Sequence, residues 1–219
     1  MRYAVVGLGN LGGHLAANLK ASGVAVAVHD RDPAAAAGAL AAGCDWTESA
    51  ALCAAGADAL VTCLPSPAAT EAVLAEALPV LAPGATWIEM STIGRDDVLR
   101  LSGQAAEAGI GMLECPVTGG VHLAARGEIT VLVGGEEALL ERHRPALQAM
   151  GGRIIHLGPL GSAAVVKVIT NMLAFIHLVA DGEALMLARR AGVDLGRAWE
   201  AIAASSGTSF VHETEGQLI

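Results

Sequence analysis

A glycine turn, Gly7-Leu8-Gly9-Asn10-Leu11-Gly12, stands between a short apolar run and a helix-compatible stretch, and few architectures place these three pieces in that order. Gly7 permits a tight turn, Gly9 leaves the backbone open to a pyrophosphate, and Gly12 lets helix and strand pack closely. The N–H groups and partial positive charge of a helix N-terminus favour an anion. Gly7, Leu8, Gly9, Asn10, Leu11 and Gly12 are therefore expected to cradle a dinucleotide diphosphate. Glycine-rich turns also join strands to helices without a ligand, so a second signal is required. Asp30 supplies it, 18 residues after Gly12 and at the end of Val26-Ala27-Val28-His29-Asp30. A carboxylate there can accept both adenosine ribose hydroxyls and would repel a 2′-phosphate, which favours NAD over NADP. Arg31 next to it could bind that phosphate or cover the adenine face.

Short apolar runs recur at 3–6, 24–28, 59–64, 86–90, 112–115, 130–133 and 154–157, each bounded by Gly, Pro or Asp. Runs of this kind read as strands covered on both faces. Between them lie stretches long enough for crossover helices, including 11–22, 33–42, 69–78 and 96–108. The expected fold is α/β: a Rossmann-type, doubly wound and mostly parallel sheet over residues 1–160. Gly158-Pro159-Leu160-Gly161 then punctuates the chain, and no strand signal follows. Residues 161–219 read as a long interdomain helix from Ser162 to about Arg190, ~45 Å at 1.5 Å per residue, and the start of an all-helical second domain. That helix is apolar nearly all round, so it requires further chain or a second subunit against it, and a homodimer or higher homo-oligomer is expected.

The apolar content is 53% with only 3% aromatic, which suits helices packed closely on a sheet by Ala, Val, Leu and Ile. A formal charge of -9 opposes contact with phosphate backbones, so no nucleic-acid partner is expected. Cys44, Cys53, Cys63 and Cys115 form no C-x-x-C pair and the seven histidines lack ligand spacing, so neither a disulfide framework nor a metal site is expected. The chain opens on a strand pattern without a charged n-region, and its longest greasy stretch, 168–180, bounded by Lys167 and Asp181, is short for a bilayer span. A cytoplasmic protein with no membrane role is expected.

Lys167 and Asn171 lie one turn apart on the long helix. Lys167 could be a solvated surface charge, but residues 163–166 and 168–169 are apolar and leave no polar stripe for it to join. A buried ammonium is costly unless it faces a polar cleft.

Across nearly its whole length the chain resembles the β-hydroxyacid dehydrogenase family. The likeness is carried by the glycine turn through Leu19, by Leu64-Pro65, by Ser91-Thr92, by Cys115-Pro116-Val117-Thr118-Gly119-Gly120, and by Gly161 with Lys167 and Asn171. The resemblance implies that Leu64 and Pro65 line the cofactor, that Thr92 lies near the nicotinamide, and that Thr118, Gly119 and Gly120 bind a substrate carboxylate. It also implies that Lys167 is the catalytic acid and base on a small hydroxy acid, with Asn171 holding the substrate oxygen or the lysine in line. Leu123 and Glu128 stand where the family usually has Gly and Thr, and Thr170 replaces one of two adjacent asparagines; these departures touch substrate choice. The family's second domain extends further than the pattern here, so the sequence is expected either to belong to a longer chain, which the apolar helix favours, or to be naturally short. Two rival readings are a non-catalytic nucleotide-binding or dimerisation module, which would need no Lys167, and an imine-reductase-like enzyme, for which the resemblance implies a residue other than lysine there.

Overall fold

The computed structural model describes residues 1–216 and divides into two compact units, Met1–Lys167 and Val168–Ile219. In the first unit β1 (Arg2–Val6) feeds the glycine turn and α1 (Gly12–Ala21), followed by β2 (Ala25–His29) and a 3-10 turn at Pro33–Ala36 with α2 (Ala37–Ala41). There follow β3 (Asp45–Trp46), α3 (Ala50–Ala54), β4 (Ala59–Thr62), α4 (Pro67–Ala77), β5 (Thr86–Glu89) and α5 (Arg95–Glu107). The remainder comprises β6 (Gly111–Glu114), β7 (Val117–Thr118), α6 (Val121–Ala125), β8 (Thr130–Gly135), α7 (Glu137–Met150) and β9 (Arg153–His156), and then the opening of α8 (Ser162–Arg190).

The sheet order is β3-β2-β1-β4-β5-β6-β8-β7, with β9 paired to β8. The strands from β3 to β6 are parallel, whereas β8 runs antiparallel to β6 and β7 and parallel to β9. Every residue of β4 and β5 is buried, as strands covered on both faces must be. Val5, Val28, Val61 and Ile88 pack with Leu15 and Leu19 of α1 and Leu147 of α7 on one face. Leu60 and Trp87 pack with Leu74 of α4 and Leu101 of α5 on the other. The order reverses between β1 and β4, so the loops leaving those two strands open a crevice at their carboxyl ends, the place where such sheets take ligands.

One expected helix is broken in two. Residues 33–42 hold the 3-10 turn and then α2, because Asp32 accepts the Ala34 N–H and Pro33 stands at the first position, closing a tight local turn.

In the second unit α8 continues to Arg190 and is followed by α9 (Leu195–Ala203), capped by Asp194, and α10 (Phe210–Glu215), capped by Ser209. Trp199 stacks on the buried His212 at 5.5 Å, and His212 stands 3.5 Å from the buried Asp181. Counted past Lys167 and Asp181, α8 is long and apolar enough to cross a membrane by length and composition alone. Met172, Phe175, Ile176, Val179 and Leu187 are all exposed along it.

Candidate active site

A cavity of about 520 Å³ occupies the crevice between the carboxyl ends of β1 and β4. Gly7, Gly9, Asn10, Leu11, Gly12, Asp30, Arg31, Leu64 and Pro65 line it. The three glycines are required for different reasons. Gly7 has a φ of +94°, and a Cβ there would overlap the Cys63 carbonyl. A Cβ on Gly12 would overlap the Gly7 carbonyl, so helix and turn could not meet. A Cβ on Gly9 would meet no protein atom within 4 Å and would project into open space, so protein packing does not account for this glycine. That open space leaves room for a diphosphate against the turn, so these residues fit a dinucleotide. No side chain caps α1, and its first turn carries no acidic residue.

Leu8 is not part of the cavity wall. It is buried, and its N–H donates to Asp30 Oδ2 at 2.7 Å, while Asp30 Oδ1 accepts from the Asp32 N–H at 2.9 Å. The wall also includes His29, Val73 and Glu76, which carry no motif signal in the sequence. His29 is held by the Thr47 carbonyl at 2.9 Å and tilts against Trp46.

A second group of residues lies at the carboxyl ends of β5 and β6. Glu89 closes β5 and is 1% exposed. Its carboxylate accepts from the Ser91 N–H at 2.6 Å and from Thr62 Oγ1 at 3.0 Å, and Thr62 Oγ1 in turn accepts from Trp87 Nε1 at 2.8 Å. Ser91 Oγ then accepts the Leu64 N–H at 2.8 Å, so the loop carrying Leu64 and Pro65 is laced to the loop carrying Thr92. Burial pushes the Glu89 carboxyl up to about 7, against the lowering effect of these donors. Thr92 itself is exposed.

Glu114 closes β6, in register with Glu89, and is also 1% exposed. Its two oxygens accept the Ala163 N–H at 2.9 Å and the Ala164 N–H at 3.1 Å at the start of α8. The chain then passes into the 115–120 segment, where Gly119 and Gly120 hold φ of +126° and +86°. A Cβ on Gly119 would stand 2.7 Å from Leu123, so glycine is needed there for both backbone and space. Thr118 lies in β7 opposite Thr130 and is half-buried. The Cys115 thiol is pushed well up by burial and by Glu114 and Glu89, which opposes a nucleophilic role.

Lys167, on the second turn of α8, is 9% exposed, and burial lowers its ammonium below the usual lysine range. Arg95 packs on Gly161, where a Cβ would stand 2.9 Å from Arg95 Cγ, so the start of α5 meets the approach to α8. Thr92, Thr118, Gly119, Gly120 and Lys167 do not line the 520 Å³ cavity, which therefore belongs to the glycine-turn end of the crevice. Asn171 is half-buried and follows in the second unit. Among the described residues no three His, Cys, Asp or Glu side chains gather as metal ligands.

Residues 2–158 match the family described as the NAD binding domain of 6-phosphogluconate dehydrogenase. Residues 161–219 match the family described as NAD-binding of NADP-dependent 3-hydroxyisobutyrate dehydrogenase. The chain is 35% identical over 215 residues to the NAD-dependent L-serine dehydrogenase of Pseudomonas aeruginosa, covering 97% of this chain and 72% of that protein. It is 36% identical over 210 residues to the 3-hydroxyisobutyrate dehydrogenase of the same organism, covering 94% and 70%. Among solved structures, the 3-hydroxyisobutyrate dehydrogenase of Mycobacterium tuberculosis with L-serine superimposes with a TM-score of 0.90 at 34% identity, covering 98% of this chain and 74% of that one.

Proposed function

Because this chain belongs to the β-hydroxyacid dehydrogenase family and is a nicotinamide-dependent oxidoreductase, we propose that its reaction turns on Lys167 as general acid and base toward a small β-hydroxy acid or the matching semialdehyde. The observation that carries this reading is the burial of Lys167 on the helix rooted at the end of β6, beside the start of the 115–120 segment. A lysine with a lowered pKa holds more neutral amine near neutral pH, as a proton acceptor requires. In oxidation the hydroxyl O–H breaks as Lys167 Nζ takes the proton, the carbinol C–H breaks, and the carbon–oxygen double bond forms. When bound, the nicotinamide supplies the hydride acceptor for that C–H bond. In reduction Lys167 returns the proton to the oxygen. Thr118 with the Gly119 and Gly120 N–H groups binds the substrate carboxylate, Asn171 orients the reacting oxygen or Lys167, and Thr92 lies near the nicotinamide.

At the other end, the glycine turn takes the diphosphate and Asp30 takes the ribose, with Leu64, Pro65 and Arg31 as further walls. Asp30 and Glu76 both line the cavity, and their carboxylates disfavour a 2′-phosphate, which supports NAD over NADP. Residues 1–160 serve the dinucleotide, and the helix that opens the 161–219 segment supplies Lys167. The exposed apolar row of α8 supports a homodimer or larger homo-oligomer, and four free cysteines suit the cytoplasm.

Lys167→Ala should leave NADH binding, read by fluorescence, unchanged and lower turnover of 3-hydroxyisobutyrate or L-serine at least about a hundredfold. Undiminished turnover in that variant would remove the acid and base role of Lys167 and require another proton acceptor at the site.

A further inference from the structure

We propose that Glu114 is a positioning residue for Lys167: by gripping the first amides of α8 it fixes the height and orientation at which that helix presents the ammonium group. The proposal rests on the acid and base role of Lys167 given above.

The first N–H groups of a helix have no partner within it, and where a side chain meets them it is commonly a neighbouring Ser, Thr, Asn or Asp. Asp194 and Ser209 do this for α9 and α10. Helix α8 is treated differently. Its acceptors come from a residue 49 and 50 positions away in sequence, at the end of a central strand. Both carboxylate oxygens are used, one for Ala163 and one for Ala164. A doubly held, buried carboxylate leaves the helix start little freedom to slide or rotate.

Room for this grip is built into the neighbouring strand. Gly134 of β8 is the register partner of Glu114, and a Cβ at Gly134 would overlap Glu114 Oε1. Any other residue there would push the carboxylate off its two amides. Ala163 and Lys167 are four residues apart, so the gripped amide and the lysine share a face and lie about 6 Å apart along the axis. Beyond Glu114 the chain continues directly into Cys115 to Gly120. One strand end therefore anchors both the 115–120 segment and the lysine's helix, which ties their separation to a single side chain.

A mere helix cap would alter stability only, whereas a positioning role predicts a change at the ammonium itself. The chain has two lysines, Lys20 and Lys167, so reductive methylation with 13C-formaldehyde yields lysine signals that a Lys20→Arg variant assigns. In the full chain, Glu114→Gln keeps one acceptor and puts an amide donor against the other N–H. The titration midpoint of Lys167 should then rise toward the ordinary lysine value. Turnover of 3-hydroxyisobutyrate or L-serine should fall at least about tenfold while the Kd for NADH stays within about twofold. Glu114→Asp, too short to reach both amides, should lie between. If Glu114→Gln does not fold, Gly134→Ala displaces the same carboxylate from its other side and is read identically. An unchanged or lowered Lys167 midpoint, with turnover retained, would overturn the proposal even if the melting temperature drops. Lys167→Ala in parallel separates the two ideas. Should that variant keep its activity, the acid and base reading fails on its own, while the midpoint in Glu114→Gln still decides whether Glu114 places the ammonium.

Discussion

Two helix N-termini in the first unit are handled in opposite ways. At α1 no side chain caps the opening turn, and Gly9 beside it faces open space. At α8 the opening amides are filled from within by the buried Glu114. The same local dipole is thus left open in one place and met by an internal carboxylate in the other. An N-terminus meant for an anion must stay uncapped by the protein, whereas one that carries a reacting group several residues later gains from being fixed.

The contrast breaks most readily at the glycines. Gly12→Ala drives a Cβ into the Gly7 carbonyl and should destabilise the first unit by about 3 kcal/mol. Gly9→Ala meets no protein atom, so thermal stability should hold while NADH binds at least about tenfold more weakly. Comparable melting losses in both variants, or unaltered NADH affinity in Gly9→Ala, would show that the turn is shaped for packing alone.

A smaller effect is expected at Glu89, whose donors are Thr62 at the end of β4 and Ser91 just past β5. Its carboxyl stands near 7 in the fold, against 4.5 ordinarily. A raised carboxyl contributes its stability below the unfolded value and loses it as pH rises through the folded one. From pH 5 to pH 8 the wild type should therefore lose about 2 kcal/mol relative to Glu89→Gln. Denaturant midpoints at the two pH values measure this, and parallel pH trends in the two proteins would contradict it. Smallest of all, Asp30→Asn keeps an acceptor for the Leu8 N–H but removes the charge. The ratio of kcat/KM with NAD to that with NADP should drop about tenfold, and a constant ratio would release Asp30 from cofactor choice.

Most of the architecture was legible because buried parallel strands are written as unbroken apolar runs, as at Ala59–Thr62 and Thr86–Glu89. The two-residue strands β3 and β7 were not, since periodicity needs more residues than they have. The antiparallel course of β8 was equally hidden, because register and direction depend on partners distant in sequence. In the candidate site, the glycine turn, Asp30 and Lys167 showed themselves through spacing or through an odd charge in an apolar helix. Glu89 and Glu114 did not, although each leaves a trace: an acidic residue as the last member of an apolar strand run, where water is excluded on both faces. That signal gives the residue but not its partners, which lie on loops and helices set by the tertiary fold.

The two hydrogen bonds at Asp30 have a practical consequence for altering coenzyme choice. Its carboxylate ties the second strand to the glycine turn through Leu8 and steadies its own loop through Asp32. Exchanging it for a small apolar residue to admit a phosphorylated ribose would therefore slacken the diphosphate cradle as well. A redesign would do better to retain a neutral oxygen at this position and to seek the positive charge elsewhere on the rim.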